Sequence, residues 1–338
     1  MGRMQPETKS LGHGRLVAVV VTFNRLAQLK ITLERLLASG PEVLAAVLVV
    51  DNASSDGTGA WLRSLTDDRL HPILSTENLG GAGGFNLGMR RAVEMFEPDW
   101  LVVLDDDARP APGALEAFWG ADLAGWDGVA AAVYYPDGEI CPMNRPAMNP
   151  FRDLPTFLKY ATGQGDVAHL GGADYAGAPR RVDWSTFVGL FLSRDAIARA
   201  GYPDPRLFIY ADDVLYTLDL TRAGGRIGFL PEIRFEHDCG SLAQGSSKRL
   251  TPLWKTYYYH RNQIFLYRAL AGPWFWLVIW PLIAKWGLKL GHHRGVRGQF
   301  LRLMGWALRD GLLGRRDIDA AKVFAAAGPE PAQQSRPK

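Results

Sequence analysis

Residues 100–107 read WLVVLDDD, an apolar run that ends directly on three consecutive aspartates. Side chains alternate along a strand, so Asp105 and Asp107 are predicted to point to one side and Asp106 to the other. Adjacent carboxylates repel one another unless a cation or hydrogen-bond donors compensate them. Two carboxylates together with a diphosphate suit a hard divalent ion such as Mg²⁺ or Mn²⁺. The stretch therefore predicts a buried strand followed by a metal-binding loop.

On both sides of this stretch, short strand and helix patterns alternate. Continuous apolar runs predict strands, and apolar residues at helical spacing predict helices. The predicted strands are 16–21, 43–50, 70–74, 129–135, 187–192 and 227–230, and the predicted helices are 26–37, 60–65, 88–96, 195–200 and 215–223. Alternation in such short steps predicts an α/β fold with a doubly wound, mostly parallel sheet.

Polar residues follow three of the predicted strands, at 22–25, 51–52 and 105–107. Ligands bind doubly wound sheets outside the carboxyl ends of the strands, so these residues are expected to form one site. Any one of the three is also explained by turn formation or helix capping. Convergence of all three at one edge favours a binding site.

The glycine run at 80–84 follows Asn78 and offers backbone N–H groups that can approach phosphates. It fits neither the dinucleotide pattern GxGxxG nor the P-loop pattern GxxxxGK[ST], which argues against NAD-dependent and ATP-hydrolysing enzymes. The alternative is a tight packing turn at the start of a helix.

A second acidic pair, Asp212 and Asp213, follows a hydrophobic segment. One carboxylate free of metal can act as a general base that removes a proton from an attacking hydroxyl. Capping of the helix that follows is the alternative for one of the two. His237, beside Asp238, is a candidate third metal ligand through its neutral imidazole, although a single histidine is more often structural.

Charge is distributed unevenly along the 338 residues, although the net charge is only +3. Residues 240–309 hold eleven Lys/Arg, no Asp or Glu and six of the eleven tryptophans, whereas the rest holds 27 Lys/Arg against 35 acids. The chain is therefore not a uniformly charged soluble enzyme. Its two cysteines, Cys141 and Cys239, argue against a disulfide scaffold or a four-cysteine zinc site.

The basic segment contains the apolar run WFWLVIWPLIA at 274–284, which is shorter than the roughly 20 residues that span a bilayer. Tryptophans near lysines and arginines instead suit an anionic membrane surface. A core or dimer helix is the alternative. No recognised nucleic-acid motif accompanies the charge, so no nucleic-acid partner is expected. The first 14 residues lack the apolar core of a signal peptide, which predicts a cytoplasmic enzyme, peripheral on the inner face of the cell membrane.

Six segments in order resemble the inverting nucleotide-sugar glycosyltransferases of family 2, which have the GT-A fold. They are VAVVVTFNR (17–25), VLVVDNASSDGT (47–58), ENLGGAGGFNLGM (77–89), LVVLDDD (101–107), FIYADDVLYTLDL (208–220) and EHDCGS (236–241). Within the family, NLGGAGGF followed by DDD most resembles the galactofuranosyltransferases, with bacterial rhamnosyltransferases next. The resemblance implies transfer from UDP-galactofuranose to a glycan, expected to be lipid-linked, with a rhamnosyltransferase using a dTDP-sugar as the alternative.

The resemblance also implies roles for individual residues. Asp213 matches the general base, and Asp212 is expected to orient a sugar hydroxyl of donor or acceptor. Asp105, Asp107 and His237 match the ligands of Mn²⁺ or Mg²⁺, and Trp184 falls where acceptor-contacting aromatics lie. The residues expected to bind the donor are Thr22, Asn24, Arg25, Asp51, Asn78, Gly80, Gly81, Asp105 and Asp106. Ala211 departs from the family, since many relatives have Trp there.

These patterns divide the chain into four parts. We expect a flexible N-terminus at 1–14 and a GT-A catalytic domain at 15–245, with a nucleotide-sugar half (15–125) and an acceptor half (126–245). A helical, basic, Trp-rich membrane-associating region follows at 246–325, and a disordered tail at 326–338. The alternatives outside this class are a non-catalytic glycan- or lipid-binding module and a nucleotidyltransferase, which usually has a basic Gly-rich N-terminal loop. The sequence leaves the oligomeric state open, a homo-oligomer included.

Overall fold

The computed structural model of the chain describes residues 14–161, 165–239 and 250–328. The strands are β1 Leu16–Thr22, β2 Ala46–Asp51, β3 Leu70–Leu74, β4 Trp100–Asp105, β5 Ala108–Pro110, β6 Gly128–Tyr134, β7 Arg180–Val182, β8 Leu190–Ser193 and β9 Ile227–His237. The α-helices are α1 Leu26–Leu37, α2 Thr58–Ser64, α3 Gly80–Phe96, α4 Ala114–Gly120, α5 Leu154–Ala161, α6 Gly172–Tyr175, α7 Arg194–Ala200, α8 Asp212–Arg222, α9 Lys255–Ala271, α10 Phe275–Gly287, α11 Arg297–Leu312 and α12 Ala320–Ala327.

The strands form one sheet, in the order β3-β2-β1-β4-β8-β6-β9-β5, with β7 paired to β9. The first four strands of this order are parallel, as the strand–helix alternation predicts. Beyond β4 the sheet is mixed, because β8 runs antiparallel to both β4 and β6, while β6 and β9 are parallel. Six of the nine strands formed by the described residues, β1–β4, β6 and β9, run in one direction, which confirms the prediction of a mostly parallel sheet. The opposite direction of β5, β7 and β8 is not predicted, since a buried apolar run looks the same in either direction.

Helices cover both faces of the sheet, which confirms the doubly wound prediction. On one face, β1 residues Leu16, Ala18 and Val20 pack with α1, α2 and α4. On the other face, Val17, Val19 and Val21 pack with α3, and the same core continues under α7 and α8. Strands buried on both sides read as continuous apolar runs, which is why β1 and β2 were visible in the sequence.

The C-terminal helices α9–α12 form a further apolar core of their own, which includes Phe208 from the segment before α8. By length and hydropathy alone, the helical stretch Lys255–His292 can cross a membrane. Only 17% of its most apolar 18 residues is buried inside the protein. The eleven-residue apolar run 274–284 inside this stretch is by itself too short to span a bilayer. Helix α12 ends at Ala327, so the tail predicted from 326 begins with helical residues. The rest of that tail and residues 1–13 and 240–249 lie outside the described residues.

Candidate active site

The polar ends of β1, β2 and β4 lie side by side at one edge of the sheet. In the strand register Thr22 is paired with Asp51 and Val21 with Asp105. The parallel strands thus bring the three polar segments together, as predicted from their position after the strands.

A cluster of two carboxylates and one imidazole forms beside this edge. His237 is the last residue of β9 and pairs with Ala108 of β5. This pairing places it next to residues 105–107, called the aspartate loop here. Ligand atoms of Asp105, Asp107 and His237 all lie within 4.8 Å of one another, and Nε2 of His237 is 3.1 Å from Oδ1 of Asp107. The three residues predicted as metal ligands are therefore brought together. Two carboxylates and an imidazole are a donor set that fits Mn²⁺ or a similar divalent ion.

Neighbouring cations control the ionisation of this cluster. Burial raises the pKa of Asp107, but the hydrogen bond and charge of His237 and the charge of Arg25 outweigh it and lower that pKa. Asp105 lacks such an ion pair among the described residues, and burial together with the charge of Asp107 raises its pKa to about 7. Burial by itself lowers the pKa of His237, yet the hydrogen bond to Asp107 and the nearby carboxylates raise it to about 10. Asp107 is thus ionised between two cationic side chains, and a metal ion bound here would displace the protons of Asp105 and His237.

Arg25, predicted to bind the donor, forms an ion pair with Asp107 and lies 3.8 Å from Asp106. Asp106 itself is 5% exposed and accepts hydrogen bonds from Oγ1 of Thr22 (2.7 Å) and from the backbone of Phe23 (3.4 Å). Thr22 and Asp106 therefore satisfy each other. This geometry favours a role in bracing the first loop against the aspartate loop over the direct donor contact predicted for both.

The second loop is closed by hydrogen bonds to its own backbone. Asp51 accepts from the backbone N–H of Ser54 (2.9 Å), and Asn24 Oδ1 accepts from the backbone N–H of Ser55 (2.7 Å). Because Asn24 lies on the first loop, it ties the two loops together. Hydrogen bonds thus connect the two loops that carry the predicted donor residues Thr22, Asn24 and Asp51.

The glycine run lies inside helix α3, which begins eight residues before the predicted start at 88. Asn78 caps this helix start, since its Oδ1 accepts from the N–H of Gly80 at 2.8 Å. A Cβ on Gly84 would lie 2.6 Å from Cγ1 of Val21, and one on Gly88 would lie 2.5 Å from Cγ1 of Val19. The glycines therefore let α3 approach β1 closely, and tertiary packing overrides their poor helix propensity. Gly80 and Gly81 begin this helix, next to the acidic pair.

That acidic pair, Asp212 and Asp213, opens helix α8. Burial raises the pKa of Asp213 to about 6, and backbone hydrogen bonds, including one from the N–H of Val214 (2.7 Å), offset this only in part. Burial and the charge of Asp213 raise the pKa of Asp212 further. The charge of Asp213 also contributes to the raised pKa of Asp105, so the two acidic clusters are close enough to interact electrostatically.

The segment before the pair is held in an unusual backbone conformation. Phe208, Tyr210 and Ala211 have φ values of 66°, 72° and 58°, in the left-handed region that L-residues adopt at a cost. Two buried residues of α9 hold this segment in place. Asn262 Nδ2 donates to the carbonyls of residues 207, 209 and 210 at 2.9–3.0 Å, and Arg261 donates to those of 206 and 207 at 2.9 and 3.1 Å. Helix α9, predicted as part of a membrane-associating region, thus positions the acidic pair.

Sequence reasoning missed these two residues and one more. Asn144 Oδ1 lies 2.7 Å from Nδ1 of His237, and Asn144 Nδ2 donates to Oγ1 of Thr186 at 2.9 Å. This contact orients the ring so that Nε2 faces the aspartates. The mixture of His, Arg and Asn among the aromatics of α9 was a signal for Arg261 and Asn262. No comparable signal marks Asn144, which lies in an irregular segment.

Trp184, the predicted acceptor contact, is half-buried and meets the ring of His169 edge-on at 5.2 Å. Its backbone pairs with Ala147. Its indole N–H has no hydrogen-bond partner among the described residues.

Residues 17–185 match the family model described as Glycosyl transferase family 2. Galactofuranosyltransferase GlfT1 of Mycobacterium tuberculosis is 34% identical over 234 residues, which cover 66% of this chain and 70% of that protein. The N-acetylglucosaminyl-diphospho-decaprenol L-rhamnosyltransferase of the same organism is 27% identical over 299 residues, 80% of this chain and 90% of that protein. Among solved structures, the mannosyltransferase PcManGT of Pyrobaculum calidifontis, in complex with GDP-Man and Mn²⁺, matches with a TM-score of 0.50. It is 18% identical, with 94% of this chain and 80% of that one covered, a likeness in fold alone.

Proposed function

Because the chain belongs to glycosyl transferase family 2 and has the GT-A fold, we propose that it is a metal-dependent inverting galactofuranosyltransferase. In this proposal it moves a galactofuranosyl residue from UDP-galactofuranose to a hydroxyl of a glycan acceptor. The observation that carries the proposal is a group of two carboxylates and one imidazole that could hold a metal ion, together with a second acidic pair in which the pKa of the half-buried Asp213 is raised to about 6. The likeness to a protein named as a galactofuranosyltransferase supports the choice of sugar.

The proposed mechanism divides the work between the two acidic clusters. Asp105, Asp107 and Nε2 of His237 would hold Mn²⁺ or Mg²⁺, which when bound neutralises the charge of the departing diphosphate. Asp213 accepts the proton of the acceptor hydroxyl, whose oxygen forms a bond to the anomeric carbon as the bond to the diphosphate breaks. Attack from the face opposite the diphosphate inverts the configuration. Asp212 orients a sugar hydroxyl, and Trp184 lies on the acceptor side.

Rhamnosyl transfer from a dTDP-sugar is the second candidate. It is favoured by the L-rhamnosyltransferase relative, whose match covers more of both proteins than the galactofuranosyltransferase match does. The same motifs serve both donors, so the site residues keep their roles in either case.

A panel of nucleotide sugars tests the donor assignment. The purified full chain with Mn²⁺ is incubated with UDP-galactofuranose, UDP-galactopyranose, dTDP-rhamnose and GDP-mannose, and both thermal stabilisation and slow donor hydrolysis are measured. We expect UDP-galactofuranose to give the largest effect and EDTA to abolish it. Stabilisation and hydrolysis of dTDP-rhamnose alone would replace the first candidate with the second.

We also propose that the C-terminal helices bind the cytoplasmic face of an anionic membrane, where a lipid-linked acceptor would lie. Helix α10 packs one side into the C-terminal core through Phe275 and Ile279, while Trp276 and Trp280 are 54% and 55% exposed. An exposed aromatic face beside basic residues suits the interface of a bilayer. The buried side of the same helix supports surface contact over a membrane span.

Flotation with liposomes tests this contact. The full chain should float with vesicles that contain anionic lipid, and less with zwitterionic vesicles. The Trp276→Ser/Trp280→Ser variant should lose flotation but keep donor hydrolysis, since neither tryptophan is among the residues assigned to the donor, metal or acceptor site. An active protein that ignores anionic vesicles in the absence of detergent would exclude this mode of binding.

A further inference from the structure

The imidazole of His237 has a second set of donor atoms on the side away from the aspartates. Cys141 and Cys239 are free thiols that are 0% and 4% exposed. Their sulfur atoms and a ring nitrogen of His237 all lie within 4.8 Å of one another, and Sγ of Cys141 is 4.0 Å from Nδ1. The proposed mechanism uses neither thiol.

The topology of the sheet explains how two cysteines 98 positions apart come together. Strands β6 and β9 are parallel, and Tyr134, the last residue of β6, pairs with Glu236, the last but one of β9. After β6 the chain turns back, and the N–H of Cys141 donates to the carbonyl of Val133 at 3.0 Å. Cys239 follows the end of β9 by two residues. Both thiols are thus fixed by the same strand pair that positions His237.

We propose that Sγ of Cys141, Sγ of Cys239 and Nδ1 of His237 form a second metal site, for a thiophilic divalent cation such as Zn²⁺. Two thiolates and an imidazole are typical zinc ligands, whereas carboxylates suit Mg²⁺ and Mn²⁺. Both thiols release their protons when the cation binds. Oδ1 of Asn144, 3.1 Å from Sγ of Cys141 and 2.7 Å from Nδ1, offers an oxygen for the fourth position.

The two sites share one imidazole, and this makes them mutually exclusive. A neutral imidazole has one nitrogen lone pair for a metal and carries its hydrogen on the other nitrogen. When Nδ1 binds Zn²⁺, Nε2 carries the hydrogen and donates to Asp107, 3.1 Å away. The carboxylate site then lacks its third ligand. This exclusion rests on the proposed function, whereas thiophilic metal binding itself does not.

Cobalt spectroscopy of the reduced, metal-free full chain tests the thiolate site. Co²⁺ should produce intense near-ultraviolet absorption from thiolate-to-cobalt charge transfer, at one equivalent. Cys141→Ser and Cys239→Ser should each weaken this absorption strongly, and Asp105→Asn, which alters only the carboxylate site, should retain it. Absorption that is missing in the unsubstituted protein, or unchanged in both serine variants, would overturn the site.

X-ray absorption of the Zn²⁺-loaded unsubstituted chain gives a measurement that needs no variant to fold. We expect sulfur scatterers at about 2.3 Å from zinc. A shell of nitrogen and oxygen only would place zinc elsewhere and overturn the assignment.

Electron paramagnetic resonance of Mn²⁺ tests the exclusion. Bound Mn²⁺ loses its sharp aqueous signal, and one equivalent of Zn²⁺ should restore that signal with the unsubstituted chain but not with the Cys141→Ser/Cys239→Ser variant. Equal release from both proteins would mean direct replacement at the carboxylates and would overturn the exclusion. If the chain never binds Mn²⁺, the metal dependence in the proposed function fails with the exclusion, while the cobalt absorption still decides the thiolate site.

Discussion

Each of the two acidic clusters has one buried and one half-buried aspartate, but the clusters differ in the charged groups around them. Asp107 faces Arg25 and His237, and its pKa is lowered. Asp212 and Asp213 have no ion-pair partner among the described residues, and burial raises both of their pKa values. A carboxylate that stays ionised, as Asp107 does, is suited to hold a cation, whereas Asp213, with a pKa of about 6, is suited to exchange a proton. Asp105, with a pKa of about 7, would release its proton when a cation binds. Two groups of the same chemical type are thereby given different tasks by their surroundings.

The clusters also differ in how they are held. The aspartate loop is fixed by neighbouring parallel strands and by Thr22, all within the first part of the chain. Residues 206–211, which precede the proposed base and are called the base loop here, include three residues with positive φ. This loop depends on side chains of α9, some 50 residues further along the chain. One cluster is thus local to the sheet, and the other requires the C-terminal helices.

The largest effect is expected from Asp213→Asn, which keeps the shape of the side chain and removes the base. Transfer should fall by about 1,000-fold in kcat, within the 10²–10⁴-fold range of acid–base catalysis. Mn²⁺ binding and donor stabilisation should stay at the level of the unsubstituted chain, because Asp213 is not in the cation cluster. Transfer at a nearly unchanged rate would remove Asp213 from this role.

Asp107→Asn should weaken cation binding, which Asp213→Asn should leave unchanged. The Mn²⁺ dissociation constant should rise by about 100-fold, since even outer-shell partners of a metal cost 10–100-fold when removed. Titration followed by electron paramagnetic resonance measures it, with Asp68→Asn, an exposed aspartate outside the site, as the control. An unchanged dissociation constant in Asp107→Asn would mean that the cation, if bound, lies elsewhere.

This contrast also explains how much of the molecule the sequence could reveal. The parallel strands and α1 were predictable because burial on both faces and helical spacing leave strong patterns in short segments. Asp105 and Asp107 were predictable because they come at the end of β4, whereas His237 ends β9 and its ligand role is implied mainly by the family resemblance. The start of α3 was not, since glycine disfavours helices and only close packing on β1 explains Gly84 there.

The direction of β8 and the roles of Asn144 and Asn262 depend on partners distant in sequence. Asn144 meets His237 across 93 positions, and Asn262 meets Tyr210 across 52. A single asparagine carries no periodic signal that would identify such a partner. What the sequence leaves undetermined is therefore the mixed half of the sheet and the support of the catalytic groups.

Asn262→Ala tests whether the base loop depends on α9. Loss of one donor leaves three buried carbonyls without it, so the free energy of unfolding should fall by about 1–3 kcal/mol. A displaced base should lower kcat by about tenfold, since misplacement by 1 Å can cost 10²-fold. KM for the donor and the Mn²⁺ dissociation constant should not change.

The adjacent Gln263→Ala provides the matched control, because Gln263 is half-buried on the same helix and makes no contact with the base loop among the hydrogen bonds of the described residues. A purely structural role for Asn262 would lower stability and leave kcat of the folded protein intact. That outcome would mean that the position of the proposed base does not depend on α9.

The smallest effect is expected from pH. A base must be ionised to accept a proton, so protonation of Asp213 near its pKa of about 6 should halve kcat/KM at about pH 6 and reduce it about tenfold for each further unit of acidification. The pKa is raised because the buried carboxylate loses hydration that its charged form needs. The profile is measured at saturating Mn²⁺, so that the occupied aspartates stay ionised, with circular dichroism to verify folding at each pH. An acidic limb centred near pH 4, the ordinary range of an exposed aspartate, would mean that burial does not raise the pKa of the proposed base.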